Sequence, residues 1–170
     1  LYNMGELDEA SIYLQKGIAN QPAHASSHLL LSYIEFDRGN QVKSLLAGDY
    51  FLLLDRSSDR AENVYKLMRE IKSSGISKKG KEIQILVAPD TGEEDGFNVV
   101  STVWAFTKAA QGMSLDEGLD SLDIELVITP ERKEANMNFT LFNVIDEQRK
   151  GKTGFWWEFY ADFYADANAA

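Results

Sequence analysis

The chain has 170 residues, with 17 Lys and Arg, 27 Asp and Glu, a formal charge of −10 and no cysteine. That length holds one domain or two small ones around a real core, and 44% hydrophobic residues with only three prolines exclude a disordered chain. The missing cysteine removes disulfides, thiolate zinc sites and cysteine nucleophiles together.

Charge is uneven along the chain. Residues 1–80 carry 10 basic and 10 acidic side chains, so residues 81–170, with 7 and 17, hold the whole excess. An acidic half repels phosphate backbones and anionic lipid, which argues against nucleic acid and a membrane surface as partners. No run reaches the ~18 uncharged apolar residues of a membrane span. The most apolar stretches, Ser44–Leu54 and Val99–Ala110, are short and carry charge, so no membrane insertion is expected.

The chain opens with LYNMGELDEASIYLQKGIANQP, Leu1 to Pro22. Gly5, Asp8, Glu9, Ala10, Tyr13, Leu14, Lys16 and Pro22 mark a turn, a helix with one small contact residue, and a closing proline. Gly39 stands 34 residues after Gly5 and is again followed by a polar residue and an apolar helix. Glycine supplies the left-handed turn between antiparallel helices, alanine lets them approach, and proline ends the second one. This pattern resembles the tetratricopeptide repeat (TPR) family. The resemblance implies a mostly α fold in which residues 1–74 form antiparallel helical hairpins in a right-handed superhelical stack. It also implies a fragment, with the first half-helix of one repeat missing before Leu1.

The second repeat departs from the family pattern. Leu30, Leu31, Tyr33 and Ile34 suit a first helix between Ala25 and Gly39, and Val42, Leu46, Tyr50, Leu53 and Leu54 suit a second between Gln41 and Leu54. Yet Ser44 stands where the family has alanine, Gly48 where it has a large apolar residue, Phe51 where it has a small one, and Arg56 where it has proline. A bulky Phe51 predicts looser or rotated packing at that junction. A third helix follows: Asp59 with Glu62 makes a capping box, and Ala61, Val64, Tyr65, Met68 and Ile71 form one apolar stripe.

Residues 75–81 read as a linker, with two glycines and three lysines. GISKKGK matches most of a phosphate-binding loop but has Glu82 where a hydroxyl is needed and a helix where a strand should precede it, so no nucleotide site is expected. Residues 82–170 form an acidic, helix-rich segment with at most one or two short strands. Glu82–Ala88 is the best strand candidate, and Leu122–Ile128, strand or helix, the other candidate for its partner. The acidic turn Asp90–Gly96 lacks the alternating ligands of a calcium loop and reads as solvated. Phe97–Ala110 predicts a helix stopped by Gly112. Thr129-Pro130 opens a long helix with Met137, Leu141, Val144 and Ile145 buried, ending near Gly151.

The last stretch, GFWWEFYADFYADANAA, places Phe155, Trp156, Trp157, Phe159, Tyr160, Phe163 and Tyr164 over one broad arc of a helix. Such a face must be covered. Packing on the preceding helices is one reading; a partner or dimer face, on Phe155, Trp156, Phe159, Tyr160 and Phe163, is the other. The stretch also resembles a segment of uncharacterised bacterial TPR proteins, which implies a soluble protein of a bacterial cytoplasm or periplasm and no function.

Catalytic signals are weak. His24 and His28 share a helix-face spacing, but His24 lies in the turn after Pro22, no third ligand can be named, and His28 occupies a position where the TPR family packs a large side chain. No serine sits in a strained glycine-flanked turn. The expected function is therefore a non-catalytic scaffold for a protein or peptide, with no cofactor and no metal. By analogy with the family its inner face takes Leu29, Tyr33, Phe36 and Asp37 from one helix and Asn63 or Leu67 from the third. The alternative is a small-molecule-binding or enzymatic domain in residues 82–170, converging on Trp104 and the acidic turn.

Overall fold

The computed structural model describes residues 4–73, 76–79, 82–85, 96–114 and 141–169. Its described part is mostly α. Four helices come first: α1 (Met4–Asn20), α2 (Ala25–Asp37), α3 (Gln41–Leu54) and α4 (Asp59–Ser73). A two-stranded sheet follows, β1 (Ile76–Lys79) with β2 (Glu82–Ile85), then α5 (Phe97–Ser114). Residues 141–148 are helical and are called α6. The C-terminal helix, α7, opens with a π-helical turn at Trp156–Ala161 and continues as an α-helix over Asp162–Ala169. No helix among the described residues is long and apolar enough to cross a membrane.

The first four helices run antiparallel, each against the next. Asp8 and Ser11 near the start of α1 meet Arg38 and Glu35 at the end of α2. In the next pair His28 stacks on Tyr50 while Ser32 bonds Ser44. In the third, Arg60 at the start of α4 lies over the Phe51 ring near the end of α3. The turn between α2 and α3 shows why glycine is needed there. Gly39 has φ +85°, its N–H donates to Phe36 O at 2.9 Å, and the Asn40 N–H donates to Glu35 O at 2.8 Å. These two bonds close the C-terminal turn of α2 and aim α3 back along it.

Helix α3 is the centre of the molecule. Every residue from Val42 to Gly48 is buried, as are Phe51 and Leu52, so the first two turns of the helix are covered on all sides. Gly48 is what lets two neighbours close on it. A Cβ there would lie 3.0 Å from Ser32 Oγ of α2, 3.4 Å from Val64 Cγ1 and 3.6 Å from Met68 Sδ of α4. Phe51, one turn later, is fully buried and covered by the Arg60 guanidinium.

Beyond α4 some expectations change. The stretch read as a linker over 75–81 contains β1, which pairs antiparallel with β2, Ile76 opposite Ile85 and Lys79 opposite Glu82. Only one residue of Ile76–Lys79 is apolar, so β1 carries no alternating signal; closeness in sequence to β2 is enough to form the pair. Leu122–Ile128 lies outside the described residues, as do the acidic turn up to Asp95 and the Thr129–Met137 start of the long helix. Helix α5 does not stop at Gly112 but continues to Ser114, glycine within a helix being costly rather than prohibitive. Leu141, Val144 and Ile145 are buried as the stripe predicted. One continuous core joins Ile18, the α2–α4 residues, Phe97, Val100 and Trp104 of α5, Leu141 and Ile145 of α6, and Trp156 to Tyr164 of α7.

Gly48→Leu is expected to destabilise the fold by about 1–3 kcal/mol, since Ser32 is pinned by its bond to Ser44 O and cannot yield freely. A lower urea midpoint with unchanged slope checks this.

Candidate partner-binding surfaces

The six residues expected on an inner face divide by burial. Leu29 and Leu67 sit in the core at 9% and 8% exposure, which leaves little of either for a partner. Tyr33 and Phe36 are half-buried and pack on that core, while Asp37 and Asn63 are exposed. Ser32 of α2 and Val64 and Met68 of α4 all approach α3 at Gly48. Tyr33 and Phe36 offer only their outer edges to solvent.

The C-terminal aromatic face divides as well. Trp156, Trp157, Tyr160 and Tyr164 are buried, Phe155 and Phe159 are half-buried, and Phe163 keeps 37% of its surface. The buried members dock on α2 and α3. Tyr164 Oη donates to Leu46 O at 2.9 Å, and the Trp156 ring, with Phe97 of α5, lies over Lys43 Nζ at 5.6 and 5.7 Å. Lys43 is only 1% exposed, and ring faces are a setting in which a desolvated ammonium is tolerated.

His28 joins three helices. It is fully buried, stacks on Tyr50 with ring centroids 4.4 Å apart, and uses both nitrogens. Nε2 lies 2.8 Å from Pro22 O and Nδ1 lies 2.7 Å from Tyr160 Oη. A carbonyl can only accept, so Nε2 carries the proton and Nδ1 accepts from the phenol. Burial pushes the Tyr160 hydroxyl far above its usual range, which keeps it a donor. Burial also lowers the pKa of His28, against the pull of the Pro22 carbonyl and with a smaller contribution from His24. His24 itself is exposed, its Nδ1 2.8 Å from Ser27 Oγ. His28 is thus used in packing, and the His24 ring meets a side-chain hydroxyl at the start of α2. Among the described residues no three His, Cys, Asp or Glu side chains gather as a metal site.

A second buried polar cluster was not legible beforehand. Glu35 is fully buried and accepts from Ser11 Oγ at 2.5 Å, from Arg38 Nη1 at 2.7 and 2.9 Å on its two oxygens, and from Asn40 Nδ2 at 2.7 Å. Arg38 Nε reaches Asp8 at 2.9 Å. The carboxylate is surrounded by donors from α1 and from the end of α2, which ties the two helices together. The only hint in the sequence is a Glu–Arg pair three apart at the inner end of an apolar helix.

The enzymatic alternative needed a pocket near Trp104. Trp104 is buried in the shared core, and the acidic turn falls almost wholly outside the described residues. A shallow depression of about 190 Å³ lies on α5, lined by Asn98, Val99, Thr102 and Val103; it is smaller than the ~300 Å³ at which small-molecule pockets begin. Compared with known proteins, the chain matches no family model, no curated protein and no solved structure.

The His28 geometry sets a pH dependence. The unfolded histidine titrates near 6.5 and the folded one lower. Between those values the unfolded chain binds the extra proton, so stability falls as pH drops below about 6.5 and levels off beneath the folded value. Urea melts between pH 5 and 7.5 are expected to show this slope and to lose part of it in His28→Gln. Tyr160→Phe, which strands Nδ1 without a donor, is expected to cost about 1–3 kcal/mol at neutral pH.

Proposed function

We propose that this chain is a non-catalytic scaffold of TPR-like helical hairpins that holds a protein or peptide partner. The observation that supports this reading is the arrangement of α1 to α4: four antiparallel helices, each against the next, with a left-handed glycine turn at Gly39 and with α2 and α4 both meeting α3 at Gly48; Gly5, expected at a turn, is instead helical within α1. Repeats stacked in this way bury one face against neighbours and present another along the row. Of the side chains expected on the row, Tyr33 and Phe36 keep exposed edges and Asp37 and Asn63 are exposed. An aromatic edge flanked by polar groups is the usual composition of a protein-recognition surface. Little more than two repeats are present, so the surface is shallow and its affinity rests on a few anchors rather than on area.

Selection from a random peptide display library with the intact chain tests this. Enriched peptides are expected to lose about tenfold in affinity on Tyr33→Lys, with the far-ultraviolet circular dichroism unchanged. Enrichment of no sequence, or of sequences indifferent to Tyr33 and Phe36, would remove this surface from consideration.

A further inference from the structure

The C-terminal helix carries a repeat of four. Phe155-Trp156-Trp157-Glu158, Phe159-Tyr160-Ala161-Asp162 and Phe163-Tyr164-Ala165-Asp166 follow one another without interruption. Exposure follows the same period. The second and third positions of each tetrad are buried in all three copies: Trp156, Tyr160 and Tyr164, then Trp157, Ala161 and Ala165. The fourth positions, Glu158, Asp162 and Asp166, are all exposed, and the first positions show half-buried or exposed phenylalanine edges.

A regular α-helix would not keep such columns straight. Its ~100° step carries a four-residue repeat forward by ~40° each time, so three copies would slant across ~80° of one face. The π-helical turn corrects this. Its wider turn, seen in the Asp162 N–H donating to Trp157 O, advances less per residue and rotates the repeat the other way. Phe155 and Phe159 consequently lie ring on ring, 5.5 Å apart and 8° from parallel. Phe155, Phe159 and Phe163 thus follow one another along the helix, each one tetrad from the next, beside the exposed Glu158, Asp162 and Asp166. Tyr50 of α3 touches Phe159 and Phe163 at 5.4 and 4.9 Å. Leu54, one turn beyond Tyr50, is 39% exposed and Leu53 is 52% exposed, which widens the apolar strip onto α3.

We propose that the Phe155–Phe159–Phe163 column with the Glu158–Asp162–Asp166 column is a docking face for a basic amphipathic helix of a partner protein. An α-helix repeats its apolar residues at i, i+4 and i+7 with a rise of ~4.5 to ~6 Å per step, a range that includes the 5.5 Å between the Phe155 and Phe159 rings. Lysine or arginine flanking that stripe meets the carboxylates. Charge decides against a second copy of the chain. An antiparallel two-fold pairing of this face sets its carboxylates beside their own copies, in a protein whose net charge of −10 resides wholly in this half. Two of the three carboxylates have partners: Glu158 accepts from the Gly154 N–H at 3.2 Å and Asp162 pairs with Arg149 at 2.9 Å. Both bonds are exposed, and an exposed ion pair contributes little and exchanges with an incoming cation. The proposal rests on the scaffold reading in that both require a protein partner, but it names a different surface.

The test uses the intact chain and a labelled 15-residue peptide of leucine and lysine with leucines at i, i+4, i+7 and i+11. Controls are a scrambled peptide of the same composition and a glutamate counterpart with the same leucine stripe. Fluorescence anisotropy is expected to show binding of the ordered basic peptide, weakened about tenfold by Phe163→Ala and severalfold by Asp166→Lys, and weakening as salt is raised. Circular dichroism and tryptophan emission of each variant establish that the fold is kept. No binding, equal binding of the scrambled peptide, or full affinity in Phe163→Ala overturns the proposal. So does a concentration-dependent dimer in sedimentation that Phe163→Ala abolishes, which would assign the face to a second copy. Binding lost in Tyr33→Lys but kept in Phe163→Ala also overturns it while leaving the scaffold reading in place. Library peptides that depend on Tyr33 keep that reading even if the basic peptide does not bind.

Discussion

The burial of the first two turns of α3 on every side is the constraint from which the rest of the architecture follows. Seven consecutive residues, Val42 to Gly48, are out of solvent, and a helix that is buried all round cannot be stabilised by one hairpin partner. It needs cover in several directions at once. Helix α2 supplies one side through Ser32, α4 another through Val64 and Met68, and the remaining sides are closed by Phe97 of α5 and by Trp156 and Tyr164 of the C-terminal helix. The helical hairpins and the acidic half therefore share one hydrophobic interior. Removing the C-terminal helix would expose Leu46 and the Lys43 stem as well as its own aromatic face.

Within that interior the polar groups act as register marks. Apolar side chains slide past one another at small cost, whereas a buried donor must meet its acceptor or lose about 1–3 kcal/mol. Ser11 with Glu35 sets α1 along α2. The reciprocal bonds of Ser32 Oγ to Ser44 O and Ser44 Oγ to Ser32 O, both 2.8 Å, set α2 along α3. His28 and Tyr160 set the C-terminal helix against both. Ser44 thus does more than an alanine of the same size could do, since alanine permits close approach without specifying where it occurs.

The first four helices were legible because each carries its own punctuation: the glycine turn, the Asp59–Glu62 box, and apolar spacing over three or four turns. Their ends fall within two residues of those expected. Position 48 was legible as a departure but not as a consequence, because only the distances to Ser32, Val64 and Met68 show that the missing side chain is what allows the approach. The β1 strand was not legible, since Ser77, Lys78 and Lys79 have no face to bury and the pairing depends on the neighbour alone. Of the candidate surface residues, the sequence could say that the aromatics of the last helix form a face. It could not say which aromatics pack and which remain at the edge, because that depends on a π-helical turn with no local sequence signature. Glu35 was hidden for a related reason: a charged residue reads as surface unless the donors that surround it, contributed by Ser11, Arg38 and Asn40, are known.

That π-helical turn is where fold and surface are linked. Placing the second and third residues of each tetrad in the core demands that the four-residue period be kept in line over three copies, and the wide turn is the distortion that does so. It has a geometric consequence on the other side of the helix. Once Trp156, Tyr160 and Tyr164 are aligned inward, the phenylalanines that precede them and the carboxylates that follow are aligned outward, whatever they are used for. A straight α-helix with the same composition would keep its acidic groups on one face but slant them across ~80° of it. The packing of the inward residues and the line of the outward ones are therefore coupled, and substitutions that restored a regular α-helix would shift both together.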